Sequence, residues 1–411
     1  MLKSEDVVIL MNDNINNIQF LNSSDYESLI ELKPLPLFHD EIIEYLDNLS
    51  SEIKKDNKIR QYPDVATFAF YCRKANIMSL MKNFKHIQTI NIGRGVVFHI
   101  APSNVPVNFA YSLIVGLLSG NSNIVRVPSK KFIQIEIINN AIKRLYDKDV
   151  LRNISKRIIL IRYEKSNSAT SMFSSLCDVR VIWGGDQTIR EIRKIQLPPR
   201  AYDITFADRY SFCIINANQF VKETQHKKIA EGFYNDTYLF DQNACTSPHL
   251  ILWKGSNNNV KKSKEKFWNA LYIMVKKNYS IQPIISVDKL TNFYRQSINM
   301  QDIKFNPGKD NLIWRITLNS ISDNIELYRC KGGYFPEYHI KDLKELSTVI
   351  TKKFQTLSYY GFSKDELKKI IFELNPIGID RIVPIGRTMD FSLVWDGYDL
   401  MSILSRKIEL N

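Results

Sequence analysis

Between Ile90 and Asp186 short apolar runs alternate with longer segments of helical periodicity, and this alternation constrains the fold more than any other feature of the chain. The apolar runs have the length of single strands, and Gly120 and Asn121 close the first helical segment. Such alternation predicts right-handed βαβ units around a parallel sheet, with ligands bound at the carboxyl ends of the strands. We therefore predict an α/β protein. The four strand-like runs are INIGRGVVFHIAP, SNIVRVPS, KRIILIRY and DVRVIWGGD.

The length of 411 residues exceeds what one hydrophobic core usually supports, so about two domains are expected. The first ~85 residues are polar, and FHDEIIEYLDNLSSEIKK within them has apolar residues at helical spacing. After Tyr202 the pattern changes again, with the strand-like HLILWKG and a long amphipathic helix near Lys262–Lys276. The sequence therefore predicts a helical N-terminal segment followed by two further regions.

The net charge of +13 comes from basic residues spread along the whole chain, without zinc-finger spacing or an RNA-binding aromatic signature. We therefore expect no nucleic-acid partner and interpret the charge as suited to a phosphate-rich small ligand, such as a dinucleotide or coenzyme A. No apolar run approaches the ~20 residues of a membrane helix, so we expect a cytoplasmic protein without a membrane span. The five cysteines are scattered, and the six histidines lack metal-ligand spacing, so we predict neither disulfides nor a metal site.

Two turns that follow strand-like runs contain candidate site residues. In HIAPSNVP two prolines flank Asn104, and an asparagine fixed there could donate its amide to a developing oxyanion. The same residue could instead form an Asx-turn or cap the following helix. In WGGD, Gly184 and Gly185 could bring backbone N–H groups close to a pyrophosphate.

The stretch FDQNACTSPH, from Phe240 to His249, contains one cysteine among polar neighbours. Cys245 could be a nucleophile, or it could pack as a buried thiol, which is the commoner role of a free cysteine. The stretch alone leaves both interpretations open.

Taken in order, the motifs GVVFHIAPSNVP, LLSGNSNIVRVPS, VIWGGD and FDQNACTSP resemble those of the aldehyde dehydrogenase superfamily. That superfamily has a Pro-x-Asn turn, a Gly-Asn strand ending in Pro-Ser, a phosphate-facing glycine turn and a cysteine nucleophile loop. Within it, HIAPSNVP, FDQNACTSP and the ending GRTMDFSLVWDG are most similar to the LuxC-type acyl-CoA reductases. The likeness extends from Ile90 to the C-terminus.

The resemblance implies an aldehyde-dehydrogenase-like fold, with a Rossmann-like cofactor domain and an α/β catalytic domain. We place the N-terminal helical segment at 1–85, the cofactor domain at 86–205 and 346–411, and the catalytic domain at 206–345. The resemblance also implies that Cys245 is the nucleophile, and that Asn104 and the Cys245 backbone N–H bind the oxyanion. The cofactor-binding residues that it implies are Pro102, Ser103, Arg126, Ser129, Lys130, Gly184 and Gly185.

Two departures from the superfamily pattern bear on the chemistry. The glutamate of a Glu-x-Gly-Gly stretch, which activates water in hydrolytic members, has no counterpart in YDITFADRYS, and this favours an acylating reductase. The glutamate that follows Pro-Ser in NAD-selective members is Lys130 here. A cation beside the adenosine ribose would attract a 2′-phosphate, so we expect NADPH in preference to NADH.

The expected activity is NADPH-dependent reduction of an acyl thioester to an aldehyde through an acyl-enzyme on Cys245. The alternatives are a cysteine-dependent acyltransferase or thioesterase without redox chemistry and, less favoured, a basic nucleic-acid-binding protein. The expected substrate is an acyl-CoA or an acyl group on a carrier. An acyl synthetase or transferase is a candidate partner, and we expect a homo-oligomer.

Overall fold

The computed structural model describes residues 17–84, 90–149, 151–164, 166–322 and 324–410. The chain divides into two compact units, each built on its own sheet. Unit 1 comprises Met1–Ala207 together with Tyr398–Asn411, and unit 2 comprises Asp208–Gly397. Among the described helices, none combines the length and apolarity needed to cross a bilayer.

The sheet of unit 1 has six strands in the order β1-β5-β4-β3-β6-β7, and all neighbours are parallel except the edge strand β1. Strand order therefore reverses at the central strand β3, which has β4 on one side and β6 on the other. In open α/β sheets ligands bind at the carboxyl ends of strands beside such a reversal. The strands of unit 1 are β1 Gln19–Phe20, β2 Ile90–Gly93, β3 Val96–Ile100, β4 Ser122–Arg126, β5 Ile158–Arg162, β6 Val179–Trp183 and β7 Tyr202–Phe206.

Helices cover this sheet, so β3 and β6 are buried along their whole length, as expected of a parallel sheet. The first crossover helix ends before Gly120, which has φ 81°, and a Cβ there would lie 1.9 Å from the Leu35 carbonyl oxygen. Glycine is therefore required at that turn. The helices of unit 1 are Tyr26–Glu31, Asp40–Lys54, Asn57–Gln61 (3₁₀), Pro63–Tyr71, Lys74–Asn83, Asn108–Leu118, Ile133–Asp147, Arg152–Ser155, Asn167–Leu176, Asp186–Arg193 and Leu400–Ile403.

A buried polar network joins the strands that flank the reversal. His99 on β3 contacts Ser112 Oγ through Nδ1 at 2.8 Å and Asn123 Oδ1 through Nε2 at 3.0 Å. The Trp183 indole N–H at the end of β6 donates to the same Ser112 hydroxyl at 3.1 Å. Burial lowers the pKa of His99 to about 4, so the imidazole is neutral and serves as a core residue.

The last part of the chain returns to unit 1. The strand Ser405–Ile408 pairs antiparallel with β2. Asn121 Nδ2 donates to the Leu404 carbonyl at 2.9 Å, and Met401, which is 0% exposed, contacts the Ser119 hydroxyl. These contacts complete one side of the unit.

Unit 2 contains a seven-stranded sheet in the order β10-β11-β12-β9-β8-β13-β14, which is parallel apart from the edge strand β10. Residues 346–397, which the sequence analysis assigned to the cofactor domain, contribute β13 and β14 to this sheet, because β13 pairs with β8. The strands of unit 2 are β8 Tyr210–Asn216, β9 Pro248–Lys254, β10 Lys304–Asn306, β11 Trp314–Thr317, β12 Tyr334–Ile340, β13 Phe354–Tyr360, β14 Arg381–Pro384 and the short strand Val394–Trp395. The short strand Tyr398–Asp399 follows in unit 1.

Two apolar cores, one containing Phe212 and Leu252 and the other Ile215 and Trp253, occupy the two faces of this sheet. Glu337 on β12 is 0% exposed and lies in the second core, where it accepts hydrogen bonds from the Trp253 and Trp268 indoles and from Arg315. The helices of unit 2 are Ala217–Phe220, His226–Thr237, Asn257–Asn278, Pro283–Asn299, Leu346–Val349 and Lys364–Leu374, with 3₁₀ turns at Tyr238–Phe240, Ile325–Tyr328 and Leu343–Glu345.

The helix Pro283–Asn299 is amphipathic in an unexpected sense. Its buried face contains Lys289, Asn292 and Gln296, each of which forms a hydrogen bond. Its exposed surface includes large apolar side chains at helical spacing, namely Ile284, Val287, Leu290, Tyr294 and Ile298.

Candidate active site

Cys245 lies in a short loop between the 3₁₀ turn Tyr238–Phe240 and the start of β9. The loop begins with Asp241 and Gln242 in the left-handed region, at φ 51° and 56°. The buried Gln242 side chain holds the loop: its Oε1 accepts from the Gly333 N–H at 2.6 Å, and its Nε2 donates to the Pro248 carbonyl at 3.1 Å. The backbone on both sides of the cysteine is therefore fixed to the sheet.

A second set of contacts fixes Cys245 itself. The Ser211 hydroxyl on β8 donates to the Cys245 carbonyl at 2.6 Å and accepts from the Thr356 N–H on β13 at 3.2 Å. The next residue, Thr246, donates its hydroxyl to Met389 Sδ at 3.4 Å. With Gly333, the residues Ser211 and Met389 bring three separate segments of unit 2 into contact with the loop.

Among the five cysteines, Cys245 and Cys330 are partly exposed, whereas Cys72, Cys177 and Cys213 are buried. Burial raises the pKa of all three enclosed thiols. Cys72, Cys177 and Cys213 are at most 2% exposed, so an acyl donor cannot reach their sulfur atoms without opening the core.

Opposing influences act on the Cys245 thiol. Its immediate surroundings exclude water, and this desolvation raises the pKa of the thiol to about 12, with a further increase from the Asp396 carboxylate. A hydrogen bond from Gln355, the Arg209 guanidinium and the Cys245 backbone N–H act in the opposite direction. Burial therefore keeps the thiol mostly protonated, while three neighbouring groups favour its anion.

These neighbours are themselves linked. Gln355 donates to the Asp396 carboxylate, and Arg209 forms an ion pair with Asp380. Arg209 also donates to the Phe354 carbonyl at 2.7 Å. Part of this region lies in GRTMDFSLVWDG, but no sequence motif predicted a role for Gln355, Arg209, Arg381 or Asp396. Only folding brings these distant positions together, so no local pattern could have identified them.

The other predicted site residues lie at the carboxyl edge of the unit 1 sheet, in the turns after three adjacent strands. Pro102, Ser103 and Asn104 follow β3; Arg126 ends β4, with Ser129 and Lys130 just beyond it; and Gly184 and Gly185 follow β6. The strand reversal occurs at β3, between β4 and β6. Asn104 thus belongs to unit 1 and Cys245 to unit 2.

The geometry at this edge is compatible with a phosphate-containing ligand. Gly185 is the N-cap of the helix Asp186–Arg193, and a Cβ built there would meet no atom within 4 Å. Open space beside a helix N-terminus suits a phosphate group. Arg126 Nε is buried and has no hydrogen-bond partner within the part of the chain that the structure describes. Lys130 is exposed, with its Nζ 5.2 Å from the centre of the Phe132 ring.

Across the described ranges, no group of three or more His, Cys, Asp or Glu side chains could hold a metal ion. His249, the last residue of the quoted cysteine stretch, is buried and stacks on Tyr210 with ring centres 5.6 Å apart. Burial lowers the pKa of His249 to about 3, so this imidazole is neutral.

Solved structures similar in fold are aldehyde dehydrogenases. Aldehyde dehydrogenase 21 from Physcomitrella patens superposes with a TM-score of 0.62 at 11% identity, covering 97% of this chain and 89% of that one. Lactaldehyde dehydrogenase from Escherichia coli has a TM-score of 0.60 at 10% identity, covering 90% of this chain and 86% of that one. The aldehyde-dehydrogenase-like α/β fold expected from the motifs is therefore confirmed.

Curated relatives are similar along much of the chain. The long-chain acyl-protein thioester reductase of Aliivibrio fischeri is 23% identical over 316 residues, which cover 76% of this chain and 62% of that protein. Long-chain acyl-protein thioester reductase 2 of Photobacterium leiognathi is 22% identical over 286 residues, covering 61% of this chain and 58% of that protein. The match thus spans about three fifths of each relative's length. The family model described as "Acyl-CoA reductase (LuxC)" matches residues 75–407. With most of its length matched, the chain belongs to the LuxC family of acyl-CoA reductases.

Proposed function

We propose that this protein reduces an acyl thioester to the corresponding aldehyde, with NADPH as the reductant and Cys245 as the acyl-accepting nucleophile. The observation that carries the proposal is the Cys245 loop. It holds a partly exposed cysteine on a fixed backbone, and the charges of two guanidinium groups, Arg209 and Arg381, interact with that of the thiol. Family membership and the aldehyde-dehydrogenase-like fold support the same conclusion.

The chemistry begins when Cys245 loses its proton. The thiolate attacks the acyl carbonyl carbon, the bond from that carbon to the donor sulfur breaks, and the donor leaves as a thiol after taking up a proton. The new thioester is similar in energy to the old one. As the family resemblance implies, we propose that the Cys245 backbone N–H and the Asn104 amide donate to the oxyanion of each tetrahedral intermediate, because such donors stabilise developing charge.

A nicotinamide cofactor, when bound, supplies a hydride to the acyl carbonyl carbon. The Cys245 sulfur then departs as a thiolate, and the aldehyde is released. The net reaction consumes one proton, and no hydrolytic water takes part. This agrees with the lack of a Glu-x-Gly-Gly stretch in the chain.

We assign the cofactor to the carboxyl edge of the unit 1 sheet. The Gly184–Gly185 turn would receive the pyrophosphate, and Pro102 and Ser103 would line the same edge. Arg126, Ser129 and Lys130 would surround the adenosine ribose. The open space at Gly185 and the unpaired Arg126 Nε support this assignment.

For the substrate we propose a long-chain acyl group carried on coenzyme A or on a protein thiol. The curated relatives are named long-chain acyl-protein thioester reductases, and the family description names acyl-CoA as the substrate of the reductase. An acyl-protein donor would be a synthetase or transferase that delivers its acyl group to Cys245.

The direct test mixes the protein with NADPH and acyl-CoA thioesters of increasing chain length and follows absorbance at 340 nm. Cys245→Ser should abolish aldehyde formation while leaving NADPH binding intact. Cys330→Ala is the matched control, because Cys330 is also partly exposed but lies in another loop, so its removal should leave turnover unchanged.

Mass spectrometry of the protein incubated with acyl-CoA alone should find the acyl group on Cys245. An acyl group trapped on any other cysteine, or acyl transfer and hydrolysis without NADPH oxidation, would contradict the proposal. The second result would favour a cysteine acyltransferase or thioesterase.

A further inference from the structure

The segment Gly386–Asp390 is held from one side by a buried carboxylate. Asp236, on the helix His226–Thr237, is 1% exposed. Its two oxygens accept from the Gly386 N–H at 2.6 Å and from the Thr388 N–H at 3.0 Å. Two backbone donors on a segment without helix or strand structure are thus satisfied by one side chain.

The same helix face makes the closest backbone approach to this segment. Gly232 lies one turn before Asp236, and a Cβ on Gly232 would be 3.0 Å from the Gly386 Cα. Gly386 has φ 90°, a conformation that favours glycine. The helix and the segment therefore fit together through two glycines, with Asp236 beside them.

On the other side of the segment, one guanidinium donates hydrogen bonds to three of its carbonyl groups. Arg381, at the start of β14, donates to the Thr388 carbonyl at 2.6 Å, to the Arg387 carbonyl at 3.2 Å and to the Asp390 carbonyl. It also lies over the Trp395 ring, 5.1 Å from the ring centre. The segment is thus bound through its N–H groups to Asp236 and through its C=O groups to Arg381.

Both the segment and the arginine reach the Cys245 loop. Met389, in the middle of the segment, accepts the hydrogen bond from the Thr246 hydroxyl at 3.4 Å. A Cys245 thiolate would raise the pKa of the Arg381 guanidinium, so the two charges are coupled. An arginine with three carbonyl partners cannot swing away without breaking them.

We propose that Arg381 and Asp236 are positioning residues for the acyl-accepting step: they clamp Gly386–Asp390 between them and so hold in place both the Arg381 guanidinium and the segment whose Met389 contacts the Cys245 loop. This inference rests on the proposed role of Cys245. Arg381 favours the thiolate by its charge. Asp236 acts through the segment, without touching Cys245.

The charged groups around each residue set the direction of the expected effects. Cys245 faces the Asp396 carboxylate and the guanidinium groups of Arg209 and Arg381. Loss of Arg381 therefore leaves Arg209 alone to oppose Asp396, and the thiolate fraction falls. Asp236 faces Asp390, the Cys213 thiol and Arg381.

The test measures alkylation of Cys245 by iodoacetamide as a function of pH in the full-length protein, with alkylation of Cys330 in the same sample as the internal reference. Below the thiol's pKa the rate is proportional to the thiolate fraction. Arg381→Met should slow Cys245 alkylation about tenfold at fixed pH, which corresponds to one pKa unit. Arg381→Lys should recover part of the rate, because it restores the charge but not the three-carbonyl geometry.

Asp236→Asn should also slow the alkylation of Cys245, but by a smaller factor. The amide nitrogen of asparagine cannot accept a hydrogen bond, so one of the two backbone N–H groups of the segment loses its partner. Glu337→Gln is the control for a merely structural effect. Glu337 is also a buried carboxylate of unit 2, so its loss should lower the melting temperature and leave the Cys245-to-Cys330 alkylation ratio unchanged. Equal alkylation in Arg381→Met and the unaltered protein, or an equal reduction in Glu337→Gln, would overturn the inference.

Alkylation needs neither cofactor nor acyl donor, so the two proposals can fail separately. If the unaltered protein makes no aldehyde but Arg381 controls alkylation, the proposed function fails and the positioning role stands. If aldehyde is formed through Cys245 and Arg381→Met changes neither alkylation nor kcat, only the positioning role fails.

Discussion

As the proposed acyl-accepting nucleophile, Cys245 would have to meet two requirements that conflict. A site that excludes water protects an acyl-enzyme from hydrolysis, but the same exclusion opposes formation of the thiolate. In this protein desolvation raises the pKa of the thiol to about 12, and Gln355, Arg209 and the residue's own N–H act against it. Turnover should therefore increase with pH over the range in which the fold is stable, since the fraction of thiolate increases.

The prediction for Asn104 distinguishes two roles of its side chain, an oxyanion donor and a helix cap. Asn104→Ala should lower kcat by about 10²–10³-fold, the usual effect of removing one oxyanion donor, with little change in melting temperature. Steady-state kinetics and thermal unfolding of the same preparation measure both quantities. Unchanged turnover with a lower melting temperature would show that Asn104 is a structural cap.

At Lys130 the prediction concerns the choice of cofactor. The side chain is exposed at the carboxyl edge of the unit 1 sheet, and its ammonium would attract the 2′-phosphate of NADPH. We expect NADPH to be preferred by ~10-fold in affinity, and Lys130→Glu to remove or reverse the preference. Comparison of kcat/KM for the two cofactors measures this.

Lys131→Glu provides the control for Lys130, because it makes the same charge change one residue further along the chain, at another exposed position. Its effect on the preference should be smaller. Equal kcat/KM for NADPH and NADH in the unaltered protein would show that Lys130 does not face the ribose.

Among the elements, the helix Pro283–Asn299 shows why an apolar pattern alone can mislead. Periodicity would assign its apolar stripe to the core, yet Ile284, Tyr294 and Ile298 are exposed and Lys289 is buried. Lys289 remains inside because its ammonium donates to the Asn311 carbonyl at 2.6 Å, although burial lowers its pKa to about 7. Specific hydrogen bonds with distant loops, which the helix sequence does not encode, determine which face is buried.

Ion pairs of Glu52 connect an N-terminal helix to one of the helices that cover the sheet of unit 1. Glu52, on the helix Asp40–Lys54, accepts from Lys55 at 2.7 Å, from Lys148 at 2.9 Å and from Arg144 at 3.0 Å. Arg144 lies in the last turn of the helix Ile133–Asp147, and Lys148 follows the helix directly. Hydrogen bonds from Lys55, Lys148 and Arg144 lower the pKa of Glu52 to about 2.

This shift predicts how stability depends on pH. Because the folded-state pKa is below the unfolded one, the ionised carboxylate stabilises the fold above pH ~4.5, and the contribution is lost as pH falls through about 2. Glu52→Gln should therefore cost roughly 1–2 kcal/mol at neutral pH, a value reduced for the partial exposure of the three cations, and little at pH 2 or below.

Urea unfolding at several pH values measures this cost. Glu191→Gln is the control, since Glu191 forms an exposed pair with Lys194 in the same unit and should contribute below about 0.5 kcal/mol. A pH-independent difference between Glu52→Gln and the unaltered protein would show that the effect is one of packing.

For the molecule as a whole, local patterns predicted the elements better than their assembly. Three of the four strand-like runs each contain one strand of the parallel sheet of unit 1, because a parallel strand covered on both faces is a short apolar run wherever it pairs. The run INIGRGVVFHIAP, predicted as one strand, contains two, β2 and β3, which lie in different sheets. No comparable signal assigned 346–397 to a sheet. Strand β13 pairs with β8, which lies more than a hundred residues earlier in the chain. The sequence alone does not indicate which of the two sheets β13 joins.

The contribution of the last residues to unit 1 can be tested with one substitution. Met401→Ala removes a fully buried side chain beside Ser119 and should destabilise unit 1 by about 2–4 kcal/mol. Hydrogen exchange followed by mass spectrometry should show faster exchange in β2–β7 and unchanged exchange in β8–β14. Leu410→Ala, at a position 83% exposed, should change neither. Equal acceleration in both units would mean that they unfold as one.

Because unit 1 consists of Met1–Ala207 and Tyr398–Asn411, its two parts leave the ribosome at different times. All of Asp208–Gly397 is synthesised between them, which takes on the order of 10–40 s at about 5–20 residues per second. During this interval β2 has no partner in Ser405–Ile408, and the site that receives Met401 is open to water. A nascent chain that stalls anywhere in unit 2 therefore keeps unit 1 incomplete, with an unpaired strand edge available to other chains.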